Sequence, residues 1–80
     1  MISSEQLSAA RALLGWSAVE LSKACGVGLT TIRRYELSSG VPQANISRLI
    51  LLRHALEQAG IEFTGDPTTN PGVTLHLNKS

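Results

Sequence analysis

The sequence has few of the residues that stabilise small secreted proteins or anchor a chain in a membrane. Cys25 is the one cysteine among 80 residues, so no disulfide can form within the chain, whereas secreted domains of this size usually carry several. The longest purely aliphatic run, Leu49-Ile50-Leu51-Leu52, is far too short to cross a bilayer. No charged leader precedes an apolar stretch, so we expect no signal peptide and a cytoplasmic protein.

Aromatic and metal-binding residues are equally scarce. The chain has one residue each of Trp, Tyr and Phe, which is a poor basis for stacking the bases of a single-stranded nucleic acid. His54, His76 and Cys25 lack the spacing of metal ligands. The sequence also lacks a nucleophile–base–orienter set and a glycine-rich phosphate loop. We therefore expect no enzyme activity, no cofactor and no metal.

The net charge of +1 is unevenly distributed along the chain. Residues 23–53 hold five basic side chains against one acidic side chain, which gives this segment a charge of +4. The flanking segments 1–22 and 54–80 carry −1 and −2. A basic centre between acidic flanks indicates a surface for an anionic partner, although five solvated surface charges would give the same count.

Two short helices are predicted near the start of the chain. Ser4 is the expected N-cap of the first, which Gly15 should end. Ser17 stands three residues before Glu20, the spacing of a capping box, so a second helix should begin here and end at Gly26. A tight turn would then connect this helix to the next one.

A third helix is predicted from Leu29 to about Leu37, with Gly28 as its cap. Ile32 and Tyr35 lie three residues apart and should both face the core. The outer face of this helix has no acidic residue. It consists of Thr30, Thr31, Arg33 and Arg34.

The fourth predicted helix runs from about Gln43 to Ala59 and has more apolar surface than one core needs. Its expected core stripe is Ile46, Leu49, Leu52, Leu56 and Ala59. Ile50 and Leu51 extend the apolar surface around the side, so another surface should cover them. Arg48 and Arg53 are expected to be surface residues or salt-bridge donors on this helix.

Two short segments after this helix alternate apolar and polar residues, as strands do. They are Ile61–Thr64 and Val73–Leu77, separated by a turn-rich linker. A hairpin within one chain is the simple interpretation, and pairing between two chains stays open. An isolated hairpin is marginal in water, so it should pack on the fourth helix or on a partner chain. We divide the chain into residues 1–60 and a strand extension, 61–80, of the same domain.

The second and third predicted helices form a helix-turn-helix pattern, joined by a turn that contains Gly26 and a plug residue, Val27. The major groove of duplex DNA admits one α-helix, arginine can contact guanine with two hydrogen bonds, and threonine offers a hydroxyl and a methyl group. The second helix would lie across the backbone, where Ser17 and its neighbouring N–H groups could bind phosphate. The pattern therefore predicts double-stranded DNA as the partner.

A series of short motifs runs through residues 7–59 in a specific order: Arg11–Gly15, Trp16–Ser17, Glu20–Leu21, Gly26–Val27, Thr31–Ile32, Glu36, Gly40 and Pro42. In this order they resemble the lambda-repressor-like, or Xre-type, DNA-binding domain of phage and bacterial regulators. The segments 52–63 and 72–75 are similar to a short bacterial subgroup of that family. The resemblance covers almost the whole chain.

The resemblance implies a mainly α fold, a compact bundle of four or five helices with a small C-terminal β-hairpin or strand pair. It also implies that Arg11 pairs with Glu36 and that this pair is structural. Ala18 stands where the family usually has a phosphate-contacting glutamine, Ser22 where it usually has alanine, and Leu29 where a polar residue is frequent. The resemblance implies base contacts by the residues at the start and on the outer face of the third helix. Together with those of the helix-turn-helix argument, the candidate DNA-binding residues are Ser17, Gly28, Leu29, Thr30, Thr31, Arg33 and Arg34.

We therefore predict a sequence-specific DNA-binding transcriptional regulator, a repressor that binds a palindromic operator as a homodimer. The dimer contact is expected on the helix at 43–59 and the C-terminal strands. The alternative is a protein-interaction module, antitoxin-like or an accessory factor, that uses the same helix and strands. The expected location is the bacterial cytoplasm, associated with the nucleoid when the protein is bound to DNA.

Overall fold

The computed structural model describes residues 2–38, 40–41 and 45–77. Four α-helices are followed by two strands: α1 Ser4–Leu14, α2 Ala18–Cys25, α3 Leu29–Leu37, α4 Ile46–Gln58, β1 Ile61–Thr64 and β2 Gly72–Leu75. The predicted fold class, a small helical bundle with a C-terminal strand pair, is confirmed. Within the described ranges, no helix has both the length and the apolar character needed to span a membrane.

The first helix begins one residue earlier than the sequence analysis places it. The N-cap is Ser3, whose hydroxyl oxygen accepts the Gln6 N–H (3.1 Å), while Gln6 Oε1 accepts the Ser3 N–H (3.0 Å). The prediction of Ser4 as the cap is wrong, because only Ser3 has a glutamine three residues later to complete a capping box. Ser4 instead donates its backbone N–H and its hydroxyl to the Gly40 carbonyl.

The caps predicted for α2 are confirmed. Ser17 and Glu20 form a reciprocal capping box at its start, and Gly26 ends it in the left-handed conformation with φ of 79°. A residue with a Cβ would be strained at that angle, so the sharp turn after α2 depends on glycine. Gly28 then precedes α3 without any side-chain cap.

The fourth helix begins later than predicted. Its N-cap is Asn45, whose side-chain oxygen accepts the Ser47 N–H (2.9 Å); the predicted start at Gln43 lies outside the described residues. The assignment of Ile46 to the core stripe is wrong, because this side chain is 59% exposed. Ile46 and the fully buried Leu52 are about 120° apart around the helix axis, too far to share one face.

The core collects apolar side chains from all four helices and from β1. Its members are Ile2, Leu7, Ala10, Leu21, Cys25, Val27, Ile32, Tyr35, Leu49, Leu52, Leu56 and Ile61. Trp16 is half-buried against this cluster. The core therefore fixes α2 and α3 from their inner faces and leaves their outer faces to solvent.

The two strands pair within the chain as an antiparallel hairpin. Ile61 is opposite Leu75 and Phe63 is opposite Val73, so the apolar side chains of both strands lie on one face. The second strand is Gly72–Leu75 rather than 73–77. One further hydrogen bond, from the His76 N–H to the Gly60 carbonyl (2.8 Å), continues the pairing past Leu75. β1 packs on α4 as expected, and β2 packs on α1, a contact that the sequence did not indicate.

The hairpin loop is closed by its own polar side chains. One oxygen of the Asp66 carboxylate accepts the Thr68 N–H and hydroxyl, each at 2.8 Å, and the Thr69 N–H at 3.2 Å. These hydrogen bonds, those from Thr68 first, lower the pKa of Asp66. Asn70 Oδ1 in turn accepts the Asp66 N–H (2.6 Å), so the loop holds the two strands in register.

Gln6 connects the start of α1 to the strand residues on either side of the hairpin loop. This side chain is almost fully buried, and its Nε2 donates to the carbonyls of Thr64 (3.2 Å) and Gly72 (3.0 Å), which face each other across the two strands. The same amide thus caps α1 with its oxygen and binds the hairpin with its nitrogen. Both N–H groups of the Gln6 amide thus donate to backbone carbonyls of the hairpin.

Gln6→Glu is expected to destabilise the fold. Glutamate keeps the oxygen that caps α1 but replaces the donating amide with an oxygen that faces two carbonyls. We expect the free energy of unfolding to fall by about 1–3 kcal/mol, the usual cost of leaving buried polar groups unsatisfied. Urea denaturation measures the change. The neighbouring exposed variant Glu5→Gln is the control and should shift stability by less than about 0.5 kcal/mol; equal stability of both variants would contradict the role of Gln6.

Candidate nucleic-acid interface

The turn between α2 and α3 is fixed by interactions on its inner side. The Ser22 hydroxyl donates to the Val27 carbonyl (2.7 Å), and the Val27 N–H points at Cys25 Sγ (3.4 Å). Val27 itself is buried, as predicted for the plug of the turn. Ser22 stands where the family usually has alanine, and its hydroxyl links the last turn of α2 to the turn through this hydrogen bond to Val27.

Cys25 belongs to the core of this motif. Its side chain is buried, and burial raises the pKa of the thiol above its usual value. A reactive thiol needs the opposite environment, an exposed position with a lowered pKa. Cys25 therefore fills a small apolar position at the end of α2.

The outer face of α3 is open to solvent. Thr30, Arg33 and Arg34 are exposed, whereas Leu29 and Thr31 are half-buried at the two sides of the face. Within residues 2–38, 40–41 and 45–77, neither guanidinium group has a hydrogen-bond or ion-pair partner. Two cations without partners thus stand side by side on a face that carries no acidic group.

Gly28 makes the start of α3 accessible. It is exposed, and a Cβ added to it would meet no heavy atom within 4 Å beyond its own chain neighbours. Since no side chain caps this end, the first N–H groups of α3 have no side-chain acceptor. Such free N–H groups, with the positive end of the helix dipole, favour an anion such as phosphate.

The start of α2 is chemically less favourable for phosphate. The Ser17 hydroxyl oxygen accepts the Glu20 N–H (3.1 Å), and Glu20 Oε1 accepts the Ser17 N–H (2.7 Å). The hydroxyl proton of Ser17 is still available to donate, but its backbone N–H is not. The exposed carboxylate of Glu20 also adds a negative charge beside Ser17, the residue predicted to contact a DNA phosphate.

Arg11 is held away from the outer face by Glu36. Its Nε and one terminal nitrogen donate to the two carboxylate oxygens, each at 2.9 Å, and its other terminal nitrogen donates to the Trp16 carbonyl (3.0 Å). The hydrogen bond to Glu36 raises the pKa of Arg11. All three nitrogens of this guanidinium have protein acceptors, so the charge of Glu36 is compensated within the fold.

Leu37 is a residue of this surface that the sequence analysis did not single out. It is the last residue of α3 and its side chain is 88% exposed. The signal was present, because Leu37 follows Thr30 by seven residues, about two helical turns, and so lies on the same side of the helix. The sequence analysis uses Leu37 only as the approximate end of the third helix.

α2, a short turn with the buried Val27, and α3 form a helix-turn-helix. The family model described as helix-turn-helix matches residues 7–58, from the first turn of α1 to the end of α4. The match covers well over half of the chain, so this chain belongs to the helix-turn-helix family of the Xre, lambda-repressor-like type, a family of DNA-binding regulators. Comparison with curated proteins finds no match.

Glu20→Gln is expected to strengthen DNA binding. Glutamine can complete the capping box as glutamate does, so α2 should keep its start, while one negative charge beside the DNA backbone is lost. We expect affinity for duplex DNA to rise by about two- to fivefold at low salt and the gain to shrink as salt screens the charge. Fluorescence anisotropy measures it, with Glu62→Gln on the hairpin as a control that should bind like the unaltered protein. Unchanged affinity of Glu20→Gln would place the start of α2 away from the DNA.

Proposed function

We propose that this protein is a transcriptional repressor that recognises a specific duplex DNA sequence with α3 in the major groove. The observation that carries the proposal is the outer face of α3, on which Thr30, Arg33 and Arg34 are exposed and neither guanidinium group has a partner among the residues that the structure describes. Repression would follow from occupancy, because a protein bound over a promoter excludes the polymerase.

The chemistry of this face suits base recognition. An arginine guanidinium matches the O6 and N7 acceptors of guanine, and a threonine supplies a hydroxyl for hydrogen bonding and a methyl group for thymine. Because Gly28 has no side chain, the start of α3 can approach the DNA closely, and the N–H groups that follow Gly28 can bind a phosphate. Backbone contacts of this kind fix the position of the helix, while the side chains of α3 distinguish the bases.

The apolar surface of α4 supports a homodimer. Ile46, Ile50 and Leu51 are all exposed on this helix, and such a patch is usually covered by another protein surface. The molecule measures 34 × 29 × 19 Å, so two copies side by side can present recognition helices one DNA turn apart, about 34 Å. We place the contact on α4 with the C-terminal strands beside it, and the operator is then a palindrome.

Protein interaction alone, as in an antitoxin-like or accessory factor, is the second function that the same apolar patch of α4 favours. The two functions differ in what α3 does. A base-reading protein needs Arg33 and Arg34, whereas an interaction module that binds through α4 does not.

Arg34→Ala is expected to weaken binding to the preferred duplex, which selection from a random library would identify. We expect a loss of about 5- to 150-fold and relaxed preference at one base pair, because one two-pronged base contact disappears. Arg33→Ala should act similarly at a different position. The control is Arg53→Ala on α4, whose guanidinium is paired with Glu57 (2.9 Å); it should keep the preference. Full sequence preference in both Arg33→Ala and Arg34→Ala would contradict base reading by α3.

Ile50→Glu is expected to disrupt the homodimer. A charge in the centre of an apolar contact would be buried without a partner, so sedimentation should show monomers at concentrations where the unaltered protein is dimeric. Binding to the palindrome should fall more than binding to a single half-site, since the gain from joining two binding modules is lost. Leu13→Glu, an exposed leucine on α1, should leave the oligomeric state unchanged. If the unaltered protein is monomeric both free and on DNA, the dimer proposal fails.

A further inference from the structure

The side chain of Leu37 has an unusual position for a large apolar group. At 88% exposure it is more open than the exposed leucines and isoleucines of α1 and α4. It is the last residue of α3, and Ser38 is the C-cap of the helix. The Ser38 N–H donates to the Tyr35 carbonyl, and its hydroxyl donates to the Arg34 carbonyl (3.1 Å). The fold therefore gives this leucine no packing role.

Leu37 lies on the middle line of the outer face of α3. At about 100° per residue, it and Thr30 point in nearly the same direction, two turns apart, with Arg33 on one side of that line and Arg34 on the other. The inner side of the helix is fixed by the buried Ile32 and Tyr35, so the direction of Leu37 is opposite to the core. Any partner that contacts both arginines along this helix also meets Leu37.

A duplex offers one apolar group that such a side chain can contact in the major groove, the 5-methyl of thymine. The nine residues of α3 extend about 13 Å along the helix axis. A helix of this length that lies along the groove floor brings both of its ends within reach of base edges. The sugar-phosphate backbone, in contrast, would select a polar or basic side chain at the end of a recognition helix.

We propose that Leu37 is a specificity-determining residue that contacts a thymine methyl group in each half-site. The inference rests on the proposed insertion of α3 into the major groove. It extends that proposal by assigning a base preference to the end of α3, in addition to the contacts of Thr30, Arg33 and Arg34. The half-site then contains an A·T pair at the position that faces this end of the helix.

Replacing thymine by deoxyuridine tests the contact directly, because the two bases differ only by the methyl group. Each thymine of the selected duplex is replaced in turn, and affinity is measured by fluorescence anisotropy. For the unaltered protein we expect one position per half-site at which the replacement weakens binding about fourfold, the value of burying one methyl-sized group. Leu37→Ala should bind the thymine and deoxyuridine duplexes equally at that position.

Two further variants separate the contact from general effects. Leu77→Ala removes a leucine of matched exposure, 86%, from the C-terminal end of the chain and should keep the full deoxyuridine effect. Leu37→Met keeps an apolar side chain and should retain part of it. Because the Leu37 side chain is 88% exposed, Leu37→Ala should unfold in urea at the same midpoint as the unaltered protein, which shows that a changed preference is not a folding defect.

Three results would overturn the inference. Deoxyuridine could have no effect at any position, or Leu37→Ala could show the same effect as the unaltered protein. Leu37→Ala could also lose affinity equally on all duplexes, which would indicate a contact with the sugar-phosphate backbone. In each case the unaltered protein still selects a sequence and base reading by α3 stands. A protein that enriches no duplex sequence contradicts both the proposed function and this inference.

Discussion

The ion pair between Arg11 and Glu36 determines how the outer face of α3 is presented to solvent. Two parallel hydrogen bonds of 2.9 Å join the end of α1 to the end of α3, and a third, to the Trp16 carbonyl, adds the linker before α2. The two side chains are only 27% and 13% exposed, so solvent screens this charge-assisted, two-pronged contact less than a surface pair. Three separate segments are thereby oriented by one guanidinium.

This pairing also decides which charges α3 shows to a partner. Glu36 is the only acidic residue of α3, and Arg11 compensates it inside the fold, so Arg33 and Arg34 face solvent with no opposing charge from the described part of the chain. On its other side, α1 holds the hairpin through Gln6, whose amide binds the carbonyls of Thr64 and Gly72. The first helix is therefore the common support of the helix-turn-helix and of the C-terminal strands.

Local signals predicted the parts of the fold that depend on neighbouring residues. The capping box of Ser17 and the short turn at Gly26 follow from backbone hydrogen bonding and φ, which a few residues determine. Features set by packing between distant segments were missed. The contact of β2 with α1 depends on the whole topology. The exposure of Ile46, in contrast, agrees with its angle of about 120° to Leu52 around α4. Leu37 is missing from the predicted site because the sequence analysis uses it only as the approximate end of the third helix.

The central claim of this account is that the outer face of α3 contacts DNA while Arg11 stays paired with Glu36. Nuclear magnetic resonance of the isotope-labelled protein tests it most directly, with and without the selected duplex, at a concentration where the oligomeric state does not change. The account predicts that the amide signals of residues 28–37 and the Nε–H signals of Arg33 and Arg34 shift, while the Nε–H signal of Arg11 stays in place. Shifts confined to α4 and the hairpin, with the signals of α3 unchanged, would contradict it.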